Sequence, residues 1–592
     1  MDEKRLEEKK KNFIAALVIT LVMFLIKFWS VFLVKVPWIS DEIGVWQTSE
    51  YFTGHGESWK SYIIFSGRKN GFYGVLPSII YLPVIMVSKN PVVVYRLCLI
   101  LNIIMLIFAA YLVYKIMHKI LELEWKKSIL FALSSVALYS VLFNANVIMT
   151  ETIFTVWVWL VVYVVFIGIK KNDANIRDTF CLSFLLALGY LIHSRCLIVY
   201  GMVFIIIFLN KVLYSKWLIR PLYFGVIFIG MILLFSQITS NIQQYFWDAD
   251  NVVNSTEYTA SKVFLISDVL LHNMQAVLKT FLSLLAAFTI ETGGILICCV
   301  YISVIYIRQI LHYFKEQDRK IEVLLFIFMA GCFWGMNFCI AIMSYSPSRS
   351  KWYVYTRYAT PFLGEYILIC LYLLYKLKYS CRKMVLFHVI FLPMLVKWIA
   401  VNWPVLLADA KMGLFDSAFF FCYKLMAVIN EYGINVWLKI ISLLVVLNLV
   451  VFLIFLYHKK MGSVVCITVF SVLLYIIANL SYVTPGEFSV RYWDKVDKIA
   501  ECIEKYPLDE YDIKYMGTDS FYLPTQLVLS KYDAICVEKF EEIKSENVIF
   551  FSDLLINRDI SEFIFELDTE EYLYTSNQNL CAVLGDEYKR IK

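Results

Sequence analysis

Two neighbouring carboxylates, Asp41 and Glu42, stand in the run Val36-Pro-Trp-Ile-Ser-Asp-Glu-Ile-Gly-Val-Trp46, directly after the first long apolar stretch of the chain. Charges at the edge of a bilayer among apolar and aromatic residues are costly to keep and point to a task. Other polar residues recur beside the ends of apolar stretches: Arg68 and Lys69 in Arg-Lys-Asn-Gly-Phe-Tyr-Gly74, Arg96 in Val94-Tyr-Arg-Leu97, and Glu151 in Met149-Thr-Glu-Thr-Ile-Phe154. His193 and Arg195 follow in Leu191-Ile-His-Ser-Arg195, and Arg357 and Tyr358 in Thr356-Arg-Tyr-Ala-Thr-Pro361. Carboxylates and cations at one membrane depth can combine proton transfer with anion binding, and a lipid phosphate lies at that depth. A partly desolvated carboxylate can take the proton of an attacking hydroxyl, while Arg and Lys hold a leaving phosphate. Arg suits the phosphate because its fork donates two hydrogen bonds at once.

Each residue also has a plainer use. A carboxylate pair after a span is often a helix-end feature, and Glu151 stands where an acid would complement the dipole of the following helix. Arg68, Lys69, Arg96 and Arg357 can snorkel to anionic headgroups. His193 fits a satisfied interfacial histidine. Lys27, Glu365 and Lys397 fall within or near apolar spans, with no partner assignable from sequence. No Gly-rich phosphate loop or nucleotide fingerprint stands out, so no nucleotide cofactor is implied.

The elements that position these residues follow from composition. The chain has 592 residues, 60% hydrophobic and only 17% charged, with a mean hydropathy of +0.69. That places it among polytopic α-helical membrane proteins rather than soluble ones. The net charge of +6 lies in short Lys/Arg clusters between apolar spans, which argues against nucleic-acid binding. The fourteen cysteines show no C-x-x-C and no metal-ligand spacing. A bilayer core needs about 20 apolar residues per helix, which yields about 13 spans. They are expected at 12–34, 92–114, 128–148, 150–169, 179–193, 196–214, 217–238, 280–307, 321–344, 359–376, 384–402, 434–457 and 462–480.

Segment 73–88 is apolar but short and carries Pro77 and Pro83. If it does not cross, the N-terminus, 115–127, 170–177, 211–220, 308–320, 376–383 and 458–460 all fall on the cytoplasmic side, and every one is rich in Lys or Arg. This topology places Asp41, Glu42 and the C-terminus outside the cytoplasm. The expected organisation is a membrane domain over 1–480, with outer loop 35–91 carrying interfacial helices, followed by a small extracytoplasmic α/β domain over 482–592. In that tail, strands are expected at 512–517, 534–537, 547–551 and 581–584, and helices at 493–505 and 560–567. The Lys-, Ile- and Tyr-rich composition fits a bacterial plasma membrane.

The order of these elements resembles the GT-C class of membrane glycosyltransferases, in particular the branch of protein O-mannosyltransferases and lipid A aminoarabinose transferases. The likeness rests on Ser40-Asp-Glu-Ile43 opening a long outer loop after one span, on Arg96 entering the second span, on Glu151 in the second outer turn and on the polar turn 191–195. The small-residue segment Thr289-Ile-Glu-Thr-Gly-Gly-Ile295 and the Arg-Tyr element at 357–358 continue it, so that it covers 12–400. The resemblance implies a polyprenyl-phosphate-linked sugar as donor substrate, used on the extracytoplasmic face with inversion at the anomeric carbon. By the same resemblance Asp41 is the base that deprotonates the acceptor hydroxyl, and Glu42 orients the acceptor or helps hold a cation. Glu151 assists in the same pocket, while Arg68 or Lys69 and Arg357 hold the donor phosphate. Tyr358 shapes the lipid or sugar pocket, and Arg96, His193 and Arg195 line the site. A divalent cation serves some relatives, and Asp41 and Glu42 are the ligands it would use here. The tail matches neither relative's domain, which leaves the acceptor open between glycan, lipid and protein.

Three other classes compete. A flippase or transporter for lipid-linked saccharides would place its charges near the bilayer midplane on internally repeated helices. A polysaccharide polymerase would carry its key cations in a large late outer loop. A non-enzymatic surface-assembly protein would use the tail as its binding module.

Overall fold

The structure is a computed structural model that describes residues 2–37, 40–66, 74–171, 175–246, 273–343, 356–377, most of 379–397, 461–480, 496–506, 510–517, 519–537, 547–555, 561–568 and 571–592. The chain opens with α1 (Asp2–Lys27) and a 3-10 turn over Phe28–Phe32. Three short helices follow: α2 (Ser40–Tyr51), α3 (Gly56–Ser66) and α4 (Val75–Ile85). At 11 residues with Pro83 inside, α4 falls well short of the length a bilayer crossing requires.

A long run of helices follows: α5 (Pro91–Lys115), α6 (Trp125–Val136), α7 (Tyr139–Asn144), α8 (Thr150–Lys171), α9 (Ile176–Tyr190), α10 (Cys196–Tyr214) and α11 (Pro221–Phe246). Then come α12 (Met274–Glu291), α13 (Ile295–Tyr313), α14 (Lys320–Met343), α15 (Thr360–Lys376) and α16 (Gly462–Leu480). Among the described residues, seven helices are long and apolar enough to cross a membrane, against about 13 expected from sequence. The expected span 434–457 lies outside the described residues.

Local chemistry explains the boundaries. Asn90 caps α5 by accepting hydrogen bonds from the Val92 and Val93 N–H groups, with Pro91 at the first helical position. The helix α8 carries Glu151 in its first turn and Lys170 and Lys171 in its last, which complements its dipole at both ends. On α11, Leu222, Val226, Ile229 and Leu233 are exposed at helical spacing, the stripe expected of a face turned to lipid.

Two expected spans are broken. The span 128–148 divides into α6 and α7, because the hydroxyls of Ser134 and Ser135 donate back to Phe131 O and Ala132 O and compete with the helical ladder just before the break. The span 280–307 divides at Gly293 and Gly294, whose φ values of 58° and 86° end α12 in a conformation that side chains resist.

The tail contains α17 (Asp497–Lys505), β1 (Asp512–Tyr515), α18 (Asp519–Leu529), β2 (Ile535–Cys536), β3 (Val548–Ser552), β4 (Phe563–Asp568), β5 (Glu571–Thr575), α19 (Gln578–Leu584) and β6 (Lys589–Arg590). The strands form one sheet in the order β2-β1-β3-β5-β4-β6, parallel among the first three and antiparallel thereafter. Helix α18 is the crossover that lets β1 and β2 run parallel.

Two sequence expectations fail here. Residues 581–584 belong to a helix, because Asn577 accepts the Leu580 N–H as an N-cap and Leu580 and Leu584, four apart, are buried together. Residues 563–568 form a strand rather than a helix, because β5 and β6 pair with both of its edges.

One glycine ties the loop to the membrane helices. Gly74 has φ of 62°, and a Cβ there would meet Leu191 O and Ile192 O at 2.3 Å. The Leu76 N–H next to it donates to Leu191 O at 2.9 Å. Gly74→Ala is therefore expected to lower stability by about 1–3 kcal/mol, read as a reduced unfolding midpoint in detergent. An unchanged midpoint would show that α4 does not depend on this contact.

Candidate functional site

Helix α2 places the carboxylate pair in its first turn. Asp41 is part of that helix, but its side chain lies outside the described residues. Glu42 is fully buried, and its Oε1 accepts hydrogen bonds from Tyr95 Oη at 2.6 Å and from the Ile148 N–H at 2.9 Å. Tyr95 stands in the second turn of α5, and Ile148 lies in the turn between α7 and α8. Asn102, seven residues beyond Tyr95 and so on the same face of α5, donates to Ala145 O at 3.2 Å and Val147 O at 2.9 Å. The hydroxyl of Tyr81 on α4 in turn donates to Asn102. That turn is thus fastened to α5 along its length, and Glu42 is held against it.

Three residues after Ile148, a second cluster begins. Glu151 Oε1 lies 3.0 Å from Arg195 Nη2 and 3.3 Å from Arg357 Nε, and all three side chains are at most 4% exposed. Arg195 Nη2 also donates to Thr150 Oγ1 at 3.0 Å, and Nη1 to Tyr358 O at 3.4 Å. The Tyr358 ring lies under both guanidinium groups, 4.7 Å from Arg195 and 5.3 Å from Arg357, and 5.7 Å from the His193 ring. Arg357 Nη1 reaches Met149 Sδ at 3.6 Å, which joins this cluster to the turn holding Glu42.

Glu151, His193, Arg195, Arg357 and Tyr358 are therefore brought together from three parts of the chain. Arg96 instead packs its guanidinium over Phe32 at 5.5 Å. Arg68 and Lys69 lie outside the described residues. Sequence reasoning passed over Tyr95 and Asn102, although two polar residues seven apart on an otherwise apolar helix were a signal of one polar face.

The second cluster sets two guanidinium groups beside the carboxylate of Glu151 in a desolvated setting. Such a site suits an added anion with several acceptor oxygens. Among the described residues no three His, Cys, Asp or Glu side chains come together as a metal-binding group. Of the two ligands expected from sequence, Glu42 is described and the Asp41 side chain is not.

The tail packs on α3 and the end of α4, near Glu50 at the far end of α2. Glu50, fully buried, accepts from the indole N–H groups of Trp46 at 2.8 Å and of Trp59 on α3. Lys531 of the tail donates to Ile85 O at the end of α4 and to Ser88 O at 3.3 Å. Burial pulls its ammonium below the ordinary lysine range, against the opposing pull of Glu50. Ser58 Oγ donates to Ala534 O at 2.6 Å, the Cys536 N–H donates to Ser61 Oγ at 3.0 Å, and His55 Nδ1 lies 2.8 Å from Asp533 Oδ1. Helix α3 thereby covers the sheet edge at β2, which would otherwise offer unpaired backbone groups.

No protein-family model matches the chain, and no curated protein does. Solved structures do match. ArnT from Cupriavidus metallidurans bound to undecaprenyl phosphate superposes with a TM-score of 0.54 at 10% identity, over 95% of this chain and 98% of that one. The same protein in the apo state gives 0.51 at 11% identity with the same coverage. The match runs through both membrane helices and tail, so this chain has the fold of that protein. Identities this low speak to the fold alone.

Proposed function

We propose that this chain is an integral-membrane glycosyltransferase that moves a sugar from a polyprenyl-phosphate-linked donor to an acceptor hydroxyl on the extracytoplasmic face, with inversion. The observation that carries the reading is the buried Arg195–Glu151–Arg357 cluster, joined by one short turn to the buried carboxylate of Glu42. The fold shared with a protein crystallised with undecaprenyl phosphate supports the choice of anion.

In this reading Asp41 takes the proton of the acceptor hydroxyl, whose oxygen attacks the anomeric carbon as the bond to the phosphate oxygen breaks. Charge then grows on the departing polyprenyl phosphate, where Arg357 and Arg195 offset it, with Arg68 or Lys69 reaching the same group from the outer loop. Glu42, held by Tyr95 and the Ile148 N–H, orients the acceptor. Tyr358 and His193 form the aromatic wall beside the cations. The membrane domain spans 1–480 with its outer loop at 35–91, and the tail over 482–592 sits outside the cytoplasm, in a bacterial plasma membrane with a cytoplasmic N-terminus. The acceptor is a glycan, lipid or protein hydroxyl.

The test is binding of undecaprenyl phosphate to the full-length chain in nanodiscs. Arg357→Leu, which leaves Glu151 paired with Arg195, is expected to weaken it about 10- to 100-fold, the effect of losing a charged hydrogen bond. Absent binding by the wild type, or equal binding by the variant, would count against the proposal.

A further inference from the structure

A lysine inside a membrane helix is costly unless its ammonium is satisfied. Lys27, the last residue of α1, is 1% exposed, and its partners are neither Glu365 nor Lys397. Its Nζ donates to Leu142 O at 2.9 Å, to Asn146 Oδ1 and to Tyr475 Oη at 2.8 Å. An ammonium has three donors, and three neutral oxygens take them, leaving none for a substrate phosphate. The ammonium also lies 4.9 Å from the centre of the Tyr475 ring. Tyr475 Oη and Ser30 Oγ approach Asn146 Oδ1 at 3.0 and 3.1 Å. One lysine thus gathers α1, the turn after α7 and α16, with partners 115 to 448 residues away.

The turn so held is the one that holds Glu42. Leu142 supplies a carbonyl near the end of α7, one of those a helix leaves without an internal partner. Four residues on, Asn146 O faces Tyr95 Oη at 3.5 Å, and two further on the Ile148 N–H donates to Glu42. We propose that Lys27 is a positioning residue for Glu42. By pinning residues 142–146 against α1 and α16, it sets the place at which Tyr95 and Ile148 hold the carboxylate. The inference rests on the proposed function only for what it says about transfer; the placement of Glu42 is tested separately.

The experiment uses the full-length chain in nanodiscs and follows carbodiimide-driven amidation of Glu42 by peptide mass spectrometry, in the wild type, Lys27→Met and Tyr475→Phe. Local opening of the turn exposes Glu42, so labelling is expected to quicken about tenfold in Lys27→Met and less in Tyr475→Phe. Labelling of Glu365, buried elsewhere, should stay unchanged as the control for folding. Undecaprenyl phosphate affinity should stay within about twofold, because Arg195 and Arg357 are untouched, while sugar transfer slows at unchanged donor KM. Unchanged Glu42 labelling in Lys27→Met overturns the proposal. So does a loss of lipid affinity without faster labelling, which would make Lys27 a phosphate ligand. If Lys27→Met exposes Glu365 as well, Tyr475→Phe decides, its Glu42 labelling having to rise alone. A wild type that neither binds the lipid nor transfers sugar defeats the proposed function, and the labelling still judges Lys27.

Discussion

Glu151→Leu is expected to lower stability by about 3–5 kcal/mol, since it leaves two desolvated guanidinium groups without their shared counter-charge. Arg195 and Arg357 each have at most 4% of the side chain in contact with solvent, so water cannot replace the lost carboxylate. Glu151→Gln keeps the shape and an acceptor oxygen, and its cost should be clearly smaller. Denaturant or thermal unfolding of the three proteins in one detergent measures the difference. The same variants probe what the cluster is for. Removing the carboxylate makes the site one unit more positive, so undecaprenyl phosphate should restore more stability to Glu151→Leu than it adds to the wild type. A loss below about 1 kcal/mol would place these charges in the range of solvent-exposed pairs and undo the description of a buried triad.

The second large effect concerns catalysis. Asp41→Asn is expected to slow sugar transfer by about 10²- to 10⁴-fold, the usual contribution of a general base, while undecaprenyl phosphate binding is preserved. The substitution is nearly isosteric, so the first turn of α2 should keep its structure and Glu42 its hydrogen bonds to Tyr95 and Ile148. A panel of polyprenyl-phosphate-linked sugars, assayed with the full-length protein with and without chelator, identifies the donor and reads the rate. A variant that transfers sugar at the wild-type rate removes Asp41 from the role of base. If it transfers normally but no longer moves lipid-linked saccharide across the bilayer, the flippase reading takes the place of the transferase.

How far the sequence could be read depended on which forces dominate each part. Apolar runs such as those of α5, α8 and α14 are dictated by the bilayer, so their presence follows from composition and length alone. The short amphipathic tail segments are not so constrained. Cys581-Ala-Val-Leu584 suits a strand or a helix equally, and the Asn577 cap and the packing of Leu580 and Leu584 decide for helix. The broken spans escaped for a related reason. Hydropathy passes smoothly through Ser134 and Ser135, whereas hydroxyl–carbonyl bonds act on the backbone one residue at a time.

Sequence by itself determined that the chain lives in a membrane, that carboxylates and arginines collect at the ends of its spans, and that a separate α/β segment follows them. Residue type and hydropathy are properties of the chain before it folds, and the bilayer sorts them without reference to distant partners. Tertiary structure alone decided which charges meet. Glu151 finds Arg195 and Arg357 across 44 and 206 positions of sequence, and Lys27 finds Tyr475 across 448. Arg96, no less promising on paper, settles on Phe32. Desolvation enforces this choice, because a buried charge must be matched by whatever groups the packed helices bring within about 3 Å, and helix packing, not spacing along the chain, selects them.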